Sequence, residues 1–253
     1  MIVTPGSGTK EFATDINPTK AVEMMEGATR SDRWHQFLPA FETFQVGMRL
    51  CLEMVHHLGD VRPKDDYERR MRDLACDALD TLWTSEWALL SGYDCQSIVL
   101  LRRAFEVISL MVFFINFPQE LLAWDKGKAI RPSLVRRRLK SAPISESEDI
   151  LQRAYAEYCL YAHVNSETVL HRMLGDLNRF TLGCQGNLPE LAVGLHLREL
   201  LAHMPWLVYT MNLFFKEEGE RMGQEYIDKV LRYRASVNGA NEWLSKTFLS
   251  DPD

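Results

Sequence analysis

The chain has 253 residues, 46% of them hydrophobic and 25% charged, ordinary globular values that allow a large core in one or two domains. A formal net charge of −6 at pH 7 excludes a broadly basic nucleic-acid-binding surface and leaves only a local basic patch for that role. Cys51, Cys76, Cys95, Cys159 and Cys184 are widely spaced, odd in number and without Cys-x-x-Cys. They read as reduced thiols of a cytoplasmic protein, not as a disulfide framework or a zinc knuckle.

In chain order, residues 1–20 lack the basic-then-apolar pattern of a secretory signal. Residues 1–30 read as a mobile arm with a helical turn or two after Pro18, and 31–253 as one helical domain. A first long helix is expected over 32–58, with Ser31 or Asp32 as N-cap and a kink at Pro39. A second covers 65–90, where Leu74, Ala78, Leu82 and Leu89 share a face and Asp65-Asp66 suit the N-terminus. The third, 93–117, is the most apolar. Short helices follow over 118–124 and 133–140. Ser145 and Glu148 have capping-box spacing and open a helix expected to run to about 174. After a loop at 183–187, helices are expected over 189–215, kinked at Pro205, and over 220–248. Strand-type alternation is missing, so the fold class is all-α: a single multi-helix bundle of about six to eight helices around 93–117. The apolar runs at 107–117 and 204–215 fall short of the roughly 20 residues a membrane span needs, and no membrane association is expected.

The 98–117 helix carries Arg102, Arg103 and Glu106 amid Val, Leu, Ile, Met and Phe. A helix apolar all round is normally buried, and a buried charge must be paired. Arg102 and Glu106 are four apart and can pair within the helix. A buried Arg has five donors to satisfy, so further polar groups should converge on it. The best supplier is Tyr155-x-x-Tyr158-x-x-x-x-His163-x-Asn165, in which Tyr155, Cys159 and His163 step by four along one face. The expectation is that Arg102, Glu106 and His163 meet in space, with Tyr155 nearby. The bland alternative is an internal ion pair that fixes helix packing.

The motif order adds a family. Leu100-Leu101-Arg102-x-x-x-Glu106 is followed by Pro118, Ala123-Trp124-x-x-Gly127, Val135-Arg136-x-x-Leu139 and then the Tyr155…His163 segment. Over residues 85–170 or so, this order resembles uncharacterised all-helical bacterial families with an Arg-x-x-x-Glu helix and a later Tyr…Ser-x-x-x-His motif. Some of these look like distant relatives of the HEPN group of nuclease and toxin domains. Matched position by position, the resemblance implies roles for Arg102, Glu106, Tyr155 and His163. The family's hydroxyl residue four before the His is Cys159 here. The link to HEPN ribonucleases, which use an Arg and a His four to six residues later without metal and usually across a dimer, implies Arg198 with His203, or Arg49 with His56, as a weaker catalytic candidate.

Other features carry less. His163, Glu167 and His171, and likewise His196, Glu199 and His203, lie on single helical faces. The paired Glu-x-x-His of di-iron bundles is absent, and neither a metal nor a cofactor is expected. The basic run Lys126, Lys128, Arg131, Arg136, Arg137, Arg138 and Lys140 is either a surface for phosphates or acidic partners, or a solvated helix face. Glycine-rich phosphate loops and hydrolase signatures are missing. Three functional classes stay open. They are a helical binding or regulatory protein with an Arg/Glu/His cluster, a HEPN-like ribonuclease or toxin of the anti-phage kind, and a metal- or small-ligand-binding bundle. A homodimer and an RNA or protein partner are candidate associations.

Overall fold

The computed structural model describes residues 18–140, 142 and 190–249. Among them are nine α-helices, a terminal π turn at Ser245–Leu249 and no strand. The helices are α1 Pro18–Gln36, α2 Leu38–Asp60, α3 Asp66–Leu90, α4 Asp94–Asn116, α5 Pro118–Asp125, α6 Pro132–Leu139, α7 Glu190–Phe214, α8 Lys216–Met222 and α9 Gln224–Leu244. The all-α bundle follows from the patterning, but the helix count exceeds six to eight. The expected helices at 145–174 and the loop at 183–187 lie outside the described residues.

Two local causes raise the count. Pro39 does not kink one long helix; it occupies the first turn of α2, where its missing N–H costs nothing, and the chain breaks at Phe37. Gly223 adopts φ +92, a left-handed conformation that ends α8 and starts α9 inside the expected 220–248 helix. Pro205, by contrast, is accommodated within α7. The helical turns expected after Pro18 are a full helix, α1, that runs from Pro18 to Gln36.

The centre is an antiparallel α3/α4 hairpin. The Asp65 carboxylate accepts from the Glu68 amide at 2.7 Å and caps α3. Gly92, at φ 87, turns the chain, and Ser85 Oγ bonds the Ser97 carbonyl at 2.9 Å across the pair. The α2 and α7 helices pack on this hairpin, α9 packs in turn on α2 and α7, and Phe41, Phe44, Met54, Leu82, Phe113 and Phe114 are completely buried between them. Gly47 is required where α2 meets α7 and α9: a Cβ there would collide with the Tyr233 hydroxyl and the Met204 side chain.

Two arginines tie helix ends. Arg33 of α1 reaches the Asp94 carboxylate at 2.6 and 3.2 Å and also bonds the Leu89 carbonyl, joining α1 to the end of α3 and the start of α4. Arg72 pairs with Glu68 and donates to the Leu58 and Val61 carbonyls at the α2 C-terminus. Among the described residues no helix is long and apolar enough to cross a membrane.

Candidate functional site

Arg102 and Glu106 pair along α4, Nε to Oε1 at 3.2 Å, as their spacing predicts. The expected full burial does not follow: their side chains are 22% and 33% exposed. The reason is that this half of α4 is not enclosed. Val99 is exposed, and Arg103 reaches out to Asp77 of α3 at 2.9 Å. Tyr155, Cys159 and His163 lie outside the described residues. What the structure does bring to this turn is α7. Phe105, between the two charges, packs edge-on against His203 at 6.0 Å and against Trp206 at 5.8 Å.

His203 is buried, and its Nδ1 donates to the Glu199 carbonyl of its own helix at 2.7 Å. Arg198 is exposed. The two members of the Arg198/His203 candidate therefore do not share one open surface of this chain. Arg49 and His56 are both exposed along α2. His196, Glu199 and His203 do not assemble as a metal-binding group, and no other such group occurs among the described residues. His171 and Glu167 lie outside them.

The basic run does not form one charged face. Arg136 is buried. Arg138 pairs with Glu120 at 2.6 Å and lies over the Phe117 ring at 3.9 Å, and Lys128 reaches the same Glu120 at 2.9 Å. These two cations, Lys128 first, hold the Glu120 carboxyl below the usual range. Arg131, Arg137 and Lys140 remain exposed. Helical geometry divides the run, because α6 turns Val135, Arg136 and Leu139 inward.

A different site emerges between α2 and α9. A groove of about 750 Å³ runs there, bordered by Trp34 from α1, by Pro39, Glu42, Thr43, Gln45, Val46 and Arg49 from α2, and by Ser236, Gly239, Ala240 and Trp243 from α9. Glu42, Gln45 and Arg49 step by three and four, so α2 presents them on one side. Small residues on α9 leave the space open; a Cβ added at Gly239 meets nothing within 4 Å.

Behind the groove wall sits Glu86 of α3, only 2% exposed. Gln45 Nε2 lies 2.7 Å from each of its carboxylate oxygens. Burial pushes this carboxyl up to about 7, and the Gln45 bond offsets part of that rise. A concave surface with aromatic walls, a few polar groups and a perturbed carboxyl is the usual form of a small-ligand site. The sequence reading missed it. The available signals were the Glu42-x-x-Gln45-x-x-x-Arg49 stripe along the first half of α2 and a lone acid between Leu82 and Leu89.

A second buried carboxylate serves packing. Glu218 of α8 accepts from His57 of α2 at 3.1 Å and from Arg221 at 2.5 Å. Burial alone would raise it; the bonds from His57 and Arg221 outweigh burial and hold it below the usual range.

No family model, curated protein or solved structure matches this chain.

Proposed function

We propose that this is a non-catalytic helical binding or regulatory protein whose ligand occupies the α2/α9 groove. The observation that carries the reading is the meeting of two tryptophans, Glu42, Gln45 and Arg49 around one open volume, with buried Glu86 behind it. Trp34 and Trp243 offer apolar surface, and the polar groups orient what lies on it. The half-buried Arg102–Glu106 pair then acts in helix packing beside Phe105 and His203. The free thiols Cys51, Cys76 and Cys95 support a reducing, cytoplasmic setting. The ribonuclease reading gains nothing from the geometry of Arg198 and His203, one exposed and one buried.

The test is a fragment screen by ligand-observed NMR against the wild type and Gly239→Leu. A Cβ at Gly239 meets nothing within 4 Å and the residue lines the groove, so the variant is expected to keep its fold while the leucine side chain narrows the groove. Fragments that bind the wild type and lose binding in the variant are the expected result. Binding that is indifferent to Gly239→Leu, or an absence of hits, refutes the groove as the site.

A further inference from the structure

The hydrogen bonds behind the groove constrain the ligand's chemistry. Gln45 commits Nε2 to both oxygens of Glu86. Its remaining polar atom is the carbonyl Oε1, an acceptor. Gln45 lines the groove, so the wall there offers an acceptor and not a donor while Glu86 is charged. Glu42 is exposed one helical turn away on the same side and adds a negative charge. Trp34 and Trp243 line the same volume and offer aromatic, apolar surface to it. Arg49 stands seven residues from Glu42, about 10 Å along the helix, at the other end of the stripe.

We infer that the groove's ligand is an organic ammonium, with its apolar body against Trp34 and Trp243, its charge beside Glu42 and one N–H on Oε1 of Gln45. This rests on the groove being the binding site. Acceptor, counter-charge and aromatic surface converge on one ligand class; among the lining residues Arg49 is the one cation for an anion.

The arrangement also couples binding to a proton. When Glu86 is protonated, its O–H donates and the Gln45 amide turns its Oε1 inward to accept. The NH2 group then faces the groove and repels an ammonium. The helices packed against α3 bring Arg30 and Arg33 of α1 and Asp94 of α4 to this end of it, and α2 carries Glu42 and Arg49 on the side of Gln45. Arg33 is engaged with Asp94 and Arg30 with Ser91 and the Trp87 ring. Gln45 is the hydrogen-bond partner of Glu86; burial raises the carboxyl and that bond offsets part of the rise.

The test compares phenethylammonium with phenylacetate, by quenching of tryptophan fluorescence and by calorimetry on the full chain. At pH 8 phenethylammonium is expected to bind roughly ten-fold more tightly than phenylacetate. Glu42→Gln should remove most of that preference. On lowering the pH to 6, the wild type should lose phenethylammonium affinity several-fold. In Glu86→Gln, affinity should be weaker and flat across this range. Phenylacetate binding as well as or better than phenethylammonium overturns the ammonium inference and leaves the groove reading intact. A preference for the ammonium with no pH dependence in the wild type overturns the role of Gln45 and Glu86. If neither probe binds, both the inference and the groove reading fall.

Discussion

Gln45 and Glu86 belong to different helices, and the Gln45 amide nitrogen sits 2.7 Å from both oxygens of the Glu86 carboxylate. One neutral donor cannot offset the loss of hydration of a buried charge. The carboxyl is accordingly raised from 4.5 to about 7 by burial. An acid whose folded pKa is raised binds its proton more tightly in the folded chain, so it favours folding at low pH. That contribution is present in full below about pH 4.5 and is lost as pH rises through 7. By linkage the full difference is up to about 3 kcal/mol. Glu86→Gln should therefore stabilise the protein at pH 8 by about 2 kcal/mol and change little at pH 5. Urea unfolding at the two pH values checks this; equal effects at both would refute it.

Glu218 carries the opposite sign. Its folded pKa is depressed, so its contribution is present above the ordinary carboxylate range and is lost as pH falls through the lowered value. His57→Ala should remove part of this contribution, and the acid limb of the stability profile should become shallower. An unchanged acid limb in the variant would argue against the tie between α2 and α8.

The Arg33–Asp94 pair is nearly inaccessible to solvent, at 6% and 8% side-chain exposure. Removing one partner strands the other in a low-dielectric site, at a cost of about 3–5 kcal/mol. Asp94→Ala should show this loss, and Asp94→Ala with Arg33→Met should recover much of it. Chemical denaturation of the two variants and the wild type gives the comparison.

The Arg102–Glu106 pair is held in the same spacing on one helix but is partly solvated. A partly exposed pair four residues apart contributes about 0.3–0.5 kcal/mol. Glu106→Ala should cost about that much, an order of magnitude less than Asp94→Ala. A loss of several kcal/mol would mean that the pair is the enclosed cluster the apolar sequence around it implies.

Two glycines should respond in opposite directions. Gly47→Ala places a methyl group against the Tyr233 hydroxyl and Met204, and overpacking of this kind costs about 1–3 kcal/mol. Gly239→Ala points into open groove and should stabilise by up to about 1 kcal/mol through helix propensity. Thermal melts of the two variants decide the matter.

The sequence by itself determined the helical class, the boundaries of α3, α4, α5, α6 and α7 to within a residue or two, and the pairing of Arg102 with Glu106. These depend on local matters: a 3.6-residue period, the Asp65 cap and the reach of side chains four residues apart. Local rules failed where a residue tolerates two outcomes. Pro39 fits a kink or a first turn, and Gly223 fits a helix or a left-handed break. Tertiary structure decided what each charge faces. Arg136 and Arg137 are adjacent in the chain, yet one is buried and the other exposed. Arg102 lies in an apolar run and is half-buried because the first half of α4 borders solvent. The Gln45–Glu86 contact joins positions 41 residues apart. Each residue stands out within its own helix, but nothing pairs them in the sequence, because burial and partner depend on how α2 and α3 cross, and no short-range pattern encodes that crossing.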